Sequence, residues 1–154
     1  SNGGLLTLAT SQQRPDLFGA VISQVPVADV LRFHTDNYGA YWMSDYGDPG
    51  QKDDFENALK FSPLHTVKPA DQVTYPPTMI TTADHDNRVA PWHAYKQTAE
   101  RHDKGHEATT YLRVDSKAGH GAGKPTQKVI DELADEFAFL HHTIGPIQPS
   151  KSPT

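Results

Sequence analysis

A serine, an aspartate and a histidine, the first and last in glycine-rich settings, are the chemically loaded positions of this sequence. Ser1 opens Ser1-Asn2-Gly3-Gly4, Asp86 lies in Ala83-Asp84-His85-Asp86-Asn87-Arg88-Val89, and His120 lies in Lys117-Ala118-Gly119-His120-Gly121-Ala122-Gly123. A serine hydroxyl becomes a strong nucleophile when a histidine accepts its proton and a carboxylate fixes that histidine's tautomer. Gly3 and Gly4 let the helix that follows Ser1 approach a strand without side chains in between. The Asn2 N–H, at that helix start, can donate to a developing oxyanion.

The order nucleophile, acid, base is that of α/β-hydrolases and differs from the chymotrypsin and subtilisin orders. Ser-x-Gly is half of a Gly-x-Ser-x-Gly elbow, so a strand ending in glycine is expected ahead of Ser1. A metal reading of Asp84-His85-Asp86, with His93, His102 and His106 nearby, fails for want of a compact ligand set. His34, His65, His85, His93, His102, His106, His141 and His142 are expected at the surface or as caps. Gly119 to Thr126 echoes a phosphate loop, but its spacing is wrong and Pro125 stands where a Mg²⁺-binding hydroxyl belongs. No metal and no cofactor are expected.

The elements must deliver the three residues to one place. Leu5 to Ser11 reads as a helix, and Phe18 to Val25 as an apolar strand buried on both faces. Ala28 to Phe33 suggests helical turns, residues 35–53 an ordered aromatic loop, and Phe55 to Leu59 a short helix. Pro77 to Ala83 and Ala108 to Val114 read as strands, separated by a helix over Pro91 to Asp103. Thr126 to His141 is a helix with Val129, Ile130, Leu133, Phe137 and Leu140 on one apolar stripe. The fold class is α/β, a mostly parallel sheet of about three strands flanked by helices, with chemistry outside the strand ends.

The sequence has 154 residues, a formal charge of −5, 36% hydrophobic and 21% charged residues, and no cysteine. The acidic balance and lack of a basic cluster speak against nucleic acid. No run approaches the ~20 apolar residues of a membrane helix.

Several motifs together resemble one family. They are Ser1-Asn2-Gly3-Gly4, Gln13 to Gly19, Asp45-Tyr46-Gly47, Phe61-Ser62-Pro63-Leu64-His65, Thr82 to Val89 and Lys117 to Thr126. In co-linear order over roughly residues 1–142, they resemble the C-terminal part of prolyl oligopeptidases. The resemblance implies the C-terminal portion of an α/β-hydrolase domain over 1–144, starting at the nucleophile, and a flexible tail over 145–154. It also implies a serine endopeptidase that cleaves short peptides after proline. Ser1, Asp86 and His120 then match the triad, Asn2 the oxyanion amide, and Trp42 the indole under the substrate proline ring. Val27, Tyr46 and Val89 match other pocket walls, and Arg88 the donor to the carbonyl before the proline. Expected partners are short proline-containing peptides, a β-propeller and the first half of the hydrolase sheet; the expected compartment is the cytoplasm. Another serine peptidase or esterase of this clan, or a silent binding protein on the same fold, stays open. With those parts and a second oxyanion donor lacking, the 154 residues alone are expected to be inactive or nearly so.

Overall fold

The computed structural model describes residues 1–36, 38–121 and 123–146. The expected tail therefore falls mostly outside the described residues. The chain forms α1 (Asn2–Gln13), β1 (Val21–Gln24), α2 (Met43–Tyr46), α3 (Lys52–Leu59), β2 (Thr78–Ala83), α4 (Trp92–Asp103), β3 (Thr110–Asp115) and α5 (Thr126–Ile144). The strands form one parallel sheet in the order β1-β2-β3, with Ser23 beside Ile80 and Ile80 beside Leu112. Parallel strands need crossovers, and the segments between these strands supply them.

α1 buries Gly4, Leu5, Leu8, Ser11 and Gln12, a single helical stripe against the sheet. A Cβ on Gly4 would sit 2.6 Å from Gln24 O and Pro26 Cα, so only glycine allows this approach. The close-approach argument does not extend to Gly3, whose Cβ would meet nothing within 4 Å. β2 is the central strand, with all but Met79 buried. β1 is shorter than expected and only half-enclosed: Val21 and Ser23 are buried, while Ile22 is intermediate and Gln24 exposed. Phe18 caps a 3-10 turn over Pro15–Leu17, and Val25 leaves the strand at φ 43.

Two further expectations need correction. Ala28 to Phe33 forms turns rather than helix, because the buried Asp29 Oδ1 accepts the Leu31 and Arg32 N–H groups, both at 3.1 Å. Residues 35–53 are not purely loop: Gly39–Trp42 is a 3-10 helix running into α2, and α3 begins at Lys52.

α5 presents its stripe outward. Val129, Ile130, Leu133 and Phe137 are exposed, whereas Glu136 and Phe139 are buried. The sheet meets the helix through Gln24, which donates to Glu136 Oε1 at 2.6 Å, and through Tyr111, edge-on to Phe139. Among the described residues no helix is long and apolar enough to cross a membrane.

Candidate active site

Ser1, Asp86 and His120 converge at the C-terminal ends of the strands. Ser1 directly precedes α1, and its nitrogen donates to Gln24 O at the end of β1. Asp86 lies in the turn after β2, where Asp84 N donates to Asp115 O and His85 N to Ala118 O. These bonds tie that turn to the end of β3 and to the loop carrying His120.

The Ser1 Oγ lies 2.5 Å from His120 Nε2, and His120 Nδ1 lies 2.5 Å from Asp86 Oδ2. A proton on Nδ1 satisfies both contacts: the ring donates to Asp86 and accepts from the serine hydroxyl. Asp86 is 4% exposed. Burial works against its charge, but the His120 ring and the Val89 and Arg88 N–H groups outweigh it. The carboxyl is held below its ordinary range. Those two N–H groups donate to Oδ1 at 2.9 Å, leaving Oδ2 for the histidine.

α1 leaves the Asn2 amide without an intrahelical acceptor; the first helical bond runs from Leu5 N to Ser1 O at 3.2 Å. With the helix dipole behind it, this N–H suits a negative oxygen beside Ser1.

A cavity of about 130 Å³ opens next to Ser1, lined by Asn2, Val27, Trp42, Asp45, Tyr46 and Arg88. That volume takes one compact side chain rather than a large ligand. The chain reaches it by a sharp bend: Val25, a β-branched residue at φ 43, turns out of β1, and Val27 N then donates to Ser1 O at 3.4 Å. Phe33, 1% exposed, stacks on Trp42 and meets Tyr46 edge-on. The Tyr46 hydroxyl donates to Asn2 Oδ1 at 2.8 Å, closing one wall. Val89 lies in the apolar cluster with Leu5, Val27 and Phe33 rather than on the cavity surface. Asp45, part of the Asp45-Tyr46-Gly47 motif but not among the expected pocket residues, also lines the cavity.

A larger hollow of about 560 Å³, between Leu64, His65, Lys96 and Asp103, has no nucleophile–base pair in its lining. Among the described residues no group of three or more His, Asp or Glu side chains is arranged to hold a metal.

Two of the histidines expected at the surface or as caps are buried, His93 at 1% and His106 at 5% exposure. His93 Nδ1 accepts from the backbone of both Ala28 and Asp29, at 3.1 and 3.0 Å, and so holds the segment after Val27. Burial lowers its pKa from 6.5 to about 4. The unfolded chain therefore binds this proton first, so the contribution is complete above pH 6.5 and is lost as pH falls towards 4. The loss should approach about 3 kcal/mol. An NMR titration placing the His93 pKa near the ordinary value would contradict this.

The sequence matches the prolyl oligopeptidase family over residues 1–146. The chain belongs to that family. It is 49% identical over 148 residues to a prolyl endopeptidase of Dictyostelium discoideum, covering 94% of this chain and 19% of that protein. It is 44% identical to a prolyl oligopeptidase A of Galerina marginata, covering 94% of this chain and 20% of the relative. A solved prolyl endopeptidase superposes with a TM-score of 0.86 at 39% identity, over 99% of this chain and 21% of that one. A post-proline cleaving enzyme from Rickettsia typhi gives 0.86 at 31% identity, over 94% and 20%. The chain thus spans about a fifth of the length of the prolyl oligopeptidases it matches.

Proposed function

We propose that this chain carries the triad and proline pocket of a serine endopeptidase that cleaves short peptides on the carboxyl side of proline. The observation that carries the reading is the Ser1–His120–Asp86 relay opening onto a cavity walled by Trp42 and Val27. A pyrrolidine ring is compact, apolar and lacks an N–H, so an indole face beside an aliphatic wall suits it. The exposed Arg88 guanidinium, at the cavity rim, has donors for the peptide carbonyl preceding the proline.

With proline seated, Ser1 Oγ attacks its carbonyl carbon while His120 Nε2 takes the hydroxyl proton. The carbonyl oxygen becomes an oxyanion facing the Asn2 N–H, and Asp86 stabilises the imidazolium. His120 then gives its proton to the departing amine nitrogen as the C–N bond breaks, leaving an ester on Ser1. Water, deprotonated by the same Nε2, attacks that ester; proton return to Oγ releases the acid.

The family's length supports further partners in the full-length protein: a β-propeller that restricts access to short peptides and the first half of the sheet beside β1. The same reading puts the protein in the cytoplasm. The outward apolar stripe of α5 and the single pairing of β1 support the view that the 154 residues alone have little or no activity. A fluorogenic Gly-Pro substrate offered to both forms tests the pair of statements. Turnover by the full-length protein with at most a trace from the 154 residues is expected; the reverse pattern contradicts it.

A further inference from the structure

His120 sits on the loop that joins β3 to α5. Lys117 has φ 53, Gly121 φ 138 and Gly123 φ 78, and Cβ atoms on either of these glycines would meet nothing within 4 Å. Conformations of this kind are open to many alternatives unless the surroundings select one. The early part of the loop is held by backbone: Ala118 O accepts from His85 N at 3.0 Å, and Ala118 N donates to Asp84 Oδ1 at 3.3 Å. Among the described residues after His120, the first with a side-chain anchor is Lys124.

The Lys124 ammonium donates to Glu132 Oε2 on α5 at 2.6 Å and lies 2.7 Å from Asp115 Oδ2 at the end of β3. The Glu132 contact is a directed hydrogen bond. The Asp115 contact is better read as an ion pair, because that oxygen has no well-aimed donor despite its distance. Asp115 is held in turn by Arg113 at 3.1 Å, and Arg113 also binds Asp135 at 2.8 Å. The three side chains at the junction are 9–19% exposed. An ion pair this sheltered is screened less than a surface pair. Burial disfavours the Lys124 charge, yet its two carboxylates overcome this and raise its pKa.

We propose that Lys124 is a positioning residue for His120, pinning the far end of the glycine-bearing loop between β3 and α5 so that the imidazole stays between Ser1 and Asp86. The inference rests on the peptidase reading of those three residues. Asp115 is well suited to the task because its own backbone carbonyl anchors Asp84, two residues before the triad acid. One side chain thereby ties the base's loop to the end of β3, which also hydrogen-bonds the acid's turn. A 1 Å drift of the base is enough to cost about 10²-fold in rate.

The test uses the full-length protein with Lys124→Met and Lys124→Arg, followed by two readouts. One is amide hydrogen exchange over 117–123; the other is the rate and saturation constant of Ser1 phosphonylation by a fluorophosphonate. Lys124→Met should speed exchange in that loop at least tenfold while β2 and α4 keep theirs. It should also lower the maximal labelling rate about tenfold with an unchanged saturation constant, and Lys124→Arg should restore most of both. Wild-type values on both readouts would overturn the proposal, as would faster exchange spread equally over β2, β3 and α4. Should Lys124→Met fail to fold, Glu132→Ala removes the directed hydrogen bond while leaving the Asp115 contact, and should give a several-fold change; none would overturn the proposal. Faster loop exchange in a protein whose wild type never labels would support the pinning role and count against the peptidase reading instead.

Discussion

Ser1→Ala, His120→Ala and the double variant of the full-length protein are expected to lose the same turnover, about 10⁶-fold in kcat. The reason is the single 2.5 Å contact through which the serine proton leaves. Removing the hydroxyl removes the attacking atom, and removing the imidazole leaves that hydroxyl with its proton. The second loss therefore has nothing further to take away. Asp86→Asn should cost less, about 10⁴-fold, by favouring a tautomer whose Nε2 carries the proton and cannot accept another. Steady-state kinetics on a Gly-Pro amide decide the matter. Losses that multiply in the double variant would mean that Ser1 and His120 act independently, against the relay.

The second large effect concerns Trp42. Trp42→Ala should lower kcat/KM for proline substrates about 10- to 10²-fold, in line with the ~1.5–3 kcal/mol of burying one apolar ring. The loss should fall mainly on proline. An activated ester without a proline ring should be hydrolysed at close to the original rate, since the relay is untouched. That contrast separates a proline-directed peptidase from an esterase on the same fold. Trp42 is half-buried and stacked on Phe33, so some loss of stability accompanies the change, and thermal unfolding should be followed alongside. Equal losses on both substrates would remove Trp42 from the specificity pocket.

The parts of this molecule that could be read from sequence are those where local pattern and tertiary role agree. The three strands and α1, α4 and α5 follow from apolar runs, proline placement and helical spacing. The convergence of Ser1, Asp86 and His120 accords with their residue types and with the glycines around Ser1 and His120. What the pattern hid is also specific. α4 turns a polar face inward: buried Gln97 and Arg101 both reach Gln12 on α1, and Arg101 also bonds Thr78 and lies over Tyr75. Periodicity of apolar residues cannot find such a face, since the sequence holds polar groups where burial occurs. His93 escaped for the same reason, its acceptor role depending on two backbone amides more than sixty positions away. The helical character of residues 39–46 was masked by aromatic residues and glycines without a repeating spacing, and it is fixed by packing on Phe33. The apolar stripe on α5 misled in the opposite sense: its spacing is helical, but it does not face this sheet.

The central claim is that Ser1, activated through His120 and Asp86, is the nucleophile. Labelling the full-length protein with a fluorophosphonate and mapping the adduct by peptide mass spectrometry tests it most directly. A single adduct on Ser1 that disappears in His120→Ala and is strongly slowed in Asp86→Asn is the predicted result. An adduct on another serine, or undiminished labelling of Ser1 without His120, would contradict it.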